Sequence, residues 1–102
     1  MNHFKALDEL QEHGRLRWSA GEHGWSADPR EVVQALAREG FQEYKSEITR
    51  SRVDREPTGG VWQGLDCRTG AVASAIWVVR DQAPPLVFID VDGVPVRGDA
   101  AA

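Results

Sequence analysis

The hydrophobic period of the chain changes at Gly40, and that change limits which elements it can build. Before it, Asp28-Pro29-Arg30-Glu31 reads as a helix start. Asp28 can accept from the N–H of the third helical residue, the Pro29 ring presets φ for the first, and Glu31 can bond back to the cap. Val32, Val33, Leu36 and Ala37 then form one apolar stripe, and Gly40 ends the helix. After Gly40 the alternation has period two. Tyr44, Ser46, Ile48, Arg50 and Arg52 fall on one side, and Lys45, Glu47, Thr49 and Ser51 on the other. A strand this polar belongs near a sheet edge, where charge discourages further pairing.

The rest of the chain follows from local signals. Asn2 to His13 reads as a first helix, capped by Asn2, with Phe4, Leu7 and Leu10 at roughly helical spacing; His13 sits in its last turn and Gly14 just beyond. Leu16–Ser19 and Gly24–Ala27 read as two short strands joined around Gly21. They carry a four-residue echo, Trp18-Ser19-Ala20-Gly21 and Trp25-Ser26-Ala27-Asp28, which is too short to define a repeat architecture. Asp54 to Gly60 interrupts the polar strand. Val61–Asp66 and Ala71–Arg80 flank an Arg68-Thr69-Gly70 turn, and the second of these is apolar on both faces, as a central strand would be. Ala83-Pro84-Pro85 punctuates, Leu86–Val91 is a further strand, and Asp92-Gly93 turns it into a short return, Val94–Val96, with Pro95 on an edge. The expected fold class is α+β, with two N-terminal helices packed on a mostly antiparallel meander of four to six strands. Residues 1–97 form one domain on this reading and 98–102 a flexible tail.

Composition narrows the class of function. With 102 residues, 41% hydrophobic and 27% charged, the chain has the make-up of one soluble domain rather than of a disordered or coiled-coil protein. Its formal charge of −4 disfavours a general affinity for phosphate backbones or anionic lipid. The single cysteine, Cys67, excludes an intrachain disulfide, and no apolar stretch approaches the ~20 residues that span a bilayer. A cytoplasmic location without membrane association is expected.

Few residue constellations suggest chemistry. Leu86-Val87-Phe88-Ile89-Asp90-Val91-Asp92-Gly93 resembles the first motif of haloacid-dehalogenase-type phosphatases, which implies Asp90 as phosphoryl acceptor and Asp92 as general acid. That resemblance covers eight residues, and only Val94 to Ala102 follow, too few for the crossover helix of a parallel sheet. The segment reads equally as a strand ending in an Asp-Gly turn. His3, His13, His23 and Cys67 have no metal-ligand spacing, and no bidentate Glu follows the Asp-x-Asp, so neither metal nor cofactor is expected. Cys67 is expected to be a small buried or half-buried hydrophobe.

Four tryptophans in so short a chain are the remaining signal. Trp62 and Trp77 lie in strands and read as core. Trp18 and Trp25 flank Gly21-Glu22-His23-Gly24, and exposed aromatics among polar residues are the anchors protein interfaces use. With nucleophile, base and oxyanion donors missing as a set, a non-enzymatic protein-binding module is expected. The form weighed first is an acidic inhibitor of the immunity or anti-defence type, which occludes a partner such as a nuclease or a nucleic-acid-binding complex through Trp18, Glu22, His23 and Trp25. The alternative is a nucleic-acid-contacting regulatory domain using Tyr44, Arg50 and Arg52 on one strand face, although direct nucleic-acid binding is disfavoured by the charge balance.

Overall fold

The computed structural model describes residues 4–98, which build two helices and a seven-stranded sheet whose neighbouring strands are all antiparallel. Helix α1 spans Lys5–Glu12 and buries Ala6, Leu7 and Leu10. Asn2, the expected cap, and His3 lie outside the described residues. The cap comes instead from far along the chain: the Glu39 carboxylate accepts the Ala6 N–H at 2.6 Å. An anion at this position also complements the positive end of the α1 dipole.

Strands β1 (Leu16–Ser19) and β2 (Gly24–Ala27) form the expected hairpin, with Trp18 opposite Trp25. Helix α2 (Pro29–Arg38) follows, so the second helix is mid-chain rather than N-terminal. Asp28 caps it through the Arg30 N–H at 2.9 Å, one residue earlier than the capping-box pattern, and Glu31 turns instead to Arg15 as an ion pair. The buried stripe is Val32, Ala35 and Leu36; Ala37 is exposed. Gly40, with φ of +109°, turns the chain out of the helix in a conformation other residues adopt only with strain.

Strands β3 (Gln42–Arg50), β4 (Pro57–Leu65), β5 (Val72–Arg80), β6 (Ala83–Val91) and β7 (Val94–Pro95) complete the sheet. Its order is β1-β2-β6-β5-β4-β3, with β7 also on β6. The sheet is therefore not the expected meander: the β1–β2 hairpin is laid against β6, and α2 carries the chain across the sheet to its far edge. Trp25 and Ser26 pair with the first half of β6, and β7 with its end, so the two share one side of that strand. Pro84 and Pro85 do not interrupt β6. They fall where two β6 residues face one of β5, between the pairs Val78–Leu86 and Arg80–Ala83, and a missing N–H there breaks no regular ladder bond.

Residues opposite one another in an antiparallel pair share a face. One face carries Trp25, Val87, Trp77 and Gly60 in one row, Trp62, Ala75 and Ile89 in the next, and Gly64, Ala73 and Val91 in a third. Both helices pack here, and the buried core forms between their apolar stripes and these rows. The glycines hold room for aromatic rings. A Cβ at Gly60 would run into the Trp77 ring and stand 2.8 Å from the Glu47 carbonyl oxygen; one at Gly64 would meet Trp62. The shortest dimension of the molecule, 22 Å, matches one sheet and one helical layer.

The turn between β4 and β5 ties the sheet to the end of α2. Asp66, buried, accepts the backbone N–H and Nε of Arg68 at 2.9 and 3.1 Å, and pairs with its Nη2 at 3.1 Å. Arg68 Nη2 also donates to the Glu39 carbonyl at 3.3 Å, placing a cation at the negative end of α2. The side chain and backbone N–H of Arg68 hold the Asp66 carboxyl below its ordinary range, and Asp66 raises Arg68 in turn.

Two outcomes are expected from this packing. Gly60→Ala overpacks the Trp77 site and lowers stability by about 1–3 kcal/mol, read as a shift of the urea midpoint at constant slope. Asp66→Asn destabilises the protein at neutral pH. Because the folded carboxyl titrates below its unfolded value, its contribution is complete above the ordinary carboxylate range and is lost as pH falls through the lower folded value. Urea titrations of wild type and Asp66→Asn are therefore expected to differ at pH 7 and to converge as the pH falls below the ordinary carboxylate range.

Candidate protein interface

The hairpin residues expected to bind a partner are placed apart in role. Trp25 is 2% exposed and sits in the core, its indole N–H donating to the Val96 carbonyl at 2.9 Å. It is not a surface anchor. Its neighbours explain why: Trp18 meets it edge-on at 5.1 Å between centroids, and Val96 closes over it from beyond β7. Trp18 is half-buried, packed against the core and close to Gly98. Glu22 is exposed but bridges to Arg80 at 2.7 Å, while Arg80 also donates to the Pro84 carbonyl and the Ser26 hydroxyl. His23 stands at the hairpin tip with φ of +55°, exposed. The four residues share one hairpin without forming one exposed cluster.

Tyr44, Arg50 and Arg52 do not form the expected strand face either. Tyr44 is the extra residue of a bulge between Glu43 and Lys45, a second register shift falls between Thr49 and Arg50, and Arg52 lies beyond the strand in a turn. The bulge at Tyr44 breaks the period-two relation that put it with Arg50; the second shift has its extra residue, Thr58, on β4, and Arg52 is past the strand end. Arg50 is engaged with the Arg55 carbonyl at 3.2 Å. Beside it, the Glu56 N–H and the Ser51 hydroxyl hold the Asp54 carboxyl below its ordinary range.

The other residues singled out by sequence are also accounted for. Asp92 begins the β6–β7 turn with φ of +53° and accepts the Val72 N–H at 2.9 Å, and Asp90 lies in a row with Ser74 and Pro95. Cys67 is exposed at the tip of the β4–β5 turn rather than buried, because Asp66 on one side of it turns inward to Arg68. Among the described residues no group of three or more His, Cys, Asp or Glu side chains is gathered as a metal site. No helix among them is long and apolar enough to cross a membrane.

The surface that sequence reasoning did not single out is the second face of the sheet, which carries no helix. Across its middle runs an apolar row, Phe88, Ile76 and Val61, ending at Glu47 on the edge strand. The row beside it holds Leu86, Val78 and Gly59. On its other side lie Asp90, Ser74, Gln63 and Lys45, and then Val72 and Leu65. Ile76 and Val78 are 45% and 47% exposed despite lying in the middle of the sheet. Arg80 reaches along the Leu86 end of this face to Ser26, and Gly24 leaves room there for the Leu86 and Phe88 side chains. The signal was present in the sequence as the double apolarity of residues 71–79, which placed β5 centrally and left open whether both its faces are covered.

Comparisons of the chain with known protein families, with curated proteins and with solved structures found no match.

The roles of the two tryptophans separate by stability. Trp25→Ala is expected to cost about 3–5 kcal/mol, as a fully buried aromatic. Trp25→Phe, which keeps most of the packing and leaves the Val96 carbonyl without its donor, is expected to cost about 1–3 kcal/mol. Trp18→Ala should cost less than Trp25→Ala. Equilibrium urea unfolding followed by far-UV circular dichroism checks the order.

Proposed function

We propose that the protein is a non-catalytic binding module that docks another protein on the helix-free face of its sheet. The observation that supports this most directly is the apolar row Phe88-Ile76-Val61, half-buried at its two ends and exposed at Ile76, with exposed Val78 beside it on a regular surface. Four strands of nine residues, at about 4.8 Å between strands and 3.3 Å per residue, span on the order of 550 Å². Two such surfaces bury roughly 1,100 Å², just above the lower limit for a specific interface. The partner fitted to it presents an apolar patch with a positive rim. The formal charge of −4 favours approach by such a surface, and Glu47 and Asp90 border the row. A module of this kind acts by covering what it binds, which is inhibition by occlusion in the immunity or anti-defence manner, and needs neither cofactor nor metal. A cytoplasmic setting belongs to the same proposal and is supported by the single cysteine, Cys67, which leaves no intrachain disulfide to form.

Affinity capture from the native host, with wild type and Ile76→Arg compared side by side, tests the reading. A stoichiometric protein partner is expected with wild type, retained after nuclease treatment and weakened by salt, and reduced about tenfold or more by Ile76→Arg, whose far-UV spectrum and urea midpoint stay near those of wild type. A partner bound equally by both proteins, or one held only through nucleic acid, would rule it out.

A further inference from the structure

The edge strand β3 has one side against β4 and no strand of the described residues against the other, and all nine of its residues are exposed. Two large apolar side chains lie on it, Tyr44 at 57% and Ile48 at 58% exposure. Unpaired edges of this length are ordinarily blunted, and β3 carries some of the usual devices, with alternating charges and a bulge at Tyr44. Two of its charges flank the middle residue of Gln42–Arg50: Lys45 and Glu47 stand on either side of Ser46 and share the open face.

We infer that β3 pairs antiparallel with β3 of a second copy of this chain, about a twofold axis through Ser46 and perpendicular to the sheet. Such an axis keeps each side chain on its own side of the sheet, so only registers centred on a residue are allowed. Centring on Lys45 sets Lys45 against Lys45. Centring on Glu47 sets Glu47 against itself. Centring on Ser46 sets Lys45 against Glu47 twice, on the open side where they share rows with Gln63 and Val61. Opposite charges are favourable cross-strand pairs, and like charges directly opposite are destabilising. The bulge at Tyr44 limits the regular ladder to the residues around Ser46, so the pairing is a short, reversible one. It is independent of the open-face reading: that surface stays free, and the axis sets the two copies' open faces on the same side.

Sedimentation equilibrium over a wide concentration range, with five proteins, tests the inference. Wild type is expected to show a reversible monomer–dimer equilibrium. Lys45→Glu and Glu47→Lys are each expected to weaken it about tenfold or more, since each replaces both attractive pairs with repulsive ones. Glu47→Lys takes the formal charge from −4 to −2 and so lessens overall repulsion, which separates local pairing from net charge. An equimolar mixture of the two single variants is expected to associate, and the double variant Lys45→Glu/Glu47→Lys to regain the wild-type constant. Ile76→Arg is expected to leave the equilibrium unchanged while abolishing capture of the partner docked on the open face. A wild type that stays monomeric at every concentration, or single reversals that associate as well as wild type, would overturn it.

Discussion

Helix α2 has to carry the chain from β2 to β3, across β6, β5 and β4, and its length fits that span. Ten helical residues are about 15 Å long, and four inter-strand spacings are about 19 Å, so the helix and its caps fill the crossing with little to spare. With α1 only eight residues long, the two helices cover one face of the sheet, and the packing of that face follows. The central strands offer Gly60, Gly64, Ala73 and Ala75 beneath the helical layer, and the large rings of Trp62 and Trp77 lie over glycines. Had both faces been covered, the 9-residue strands would have needed helices on either side. One layer leaves β5 and β6 with apolar side chains toward solvent, and it is on this surplus that the proposed docking rests.

The polar ties of the fold converge on the end of α2. Glu39 holds the first turn of α1 through its carboxylate and the Arg68 guanidinium through its carbonyl, and Arg68 in turn is held by Asp66. Three chain segments distant in sequence are joined by charge-assisted bonds at one corner, next to the left-handed turn at Gly40. The opposite corner is joined by Arg80, which links the β5–β6 turn to Glu22 and Ser26 of the hairpin. The Arg80 tie lies at the surface, so it fixes geometry more than it adds stability, whereas the Arg68 tie ends on the buried Asp66.

What could be read from the sequence was local. The two short strands around Gly21, the Asp28-Pro29 helix start, the Gly40 stop, the Gly70 turn and the Asp92-Gly93 hairpin were each written in a few neighbouring residues, and the chain adopts them. Long-range choices were not written there. Nothing adjacent to β2 says that it pairs with β6 rather than β3, and nothing near Lys5 says that Glu39 will cap it. The same limit explains the site residues. The Trp18–Trp25 pair looked like an exposed anchor because its hairpin is rich in glycine and polar residues, but Val96, more than seventy residues after Trp25, accepts the Trp25 indole N–H. Period two placed Tyr44, Arg50 and Arg52 on one face because a bulge leaves no mark in a polar strand. The apolar run in β5 was read as a sign of central position. It was also the sign of the open face, and telling the two apart required knowing where the helices pack.

A sheet with one bare face and one long free edge has two routes to association, and they place different demands on the sequence. A bare face accepts many apolar surfaces, so specificity there comes from the partner's charge and shape. A free edge offers the same backbone groups to any strand, so specificity there comes from register, and register is decided by side chains that must not meet. On β3 the charges penalise the centres on Lys45 and Glu47 that flank Ser46, which turns a general hazard into a narrow choice. The far edge of the sheet is β1, four residues long and ending at Ser19, too short to continue a ladder. A pair formed at β3 therefore closes on itself rather than growing, because the edges it leaves outside are the short ones.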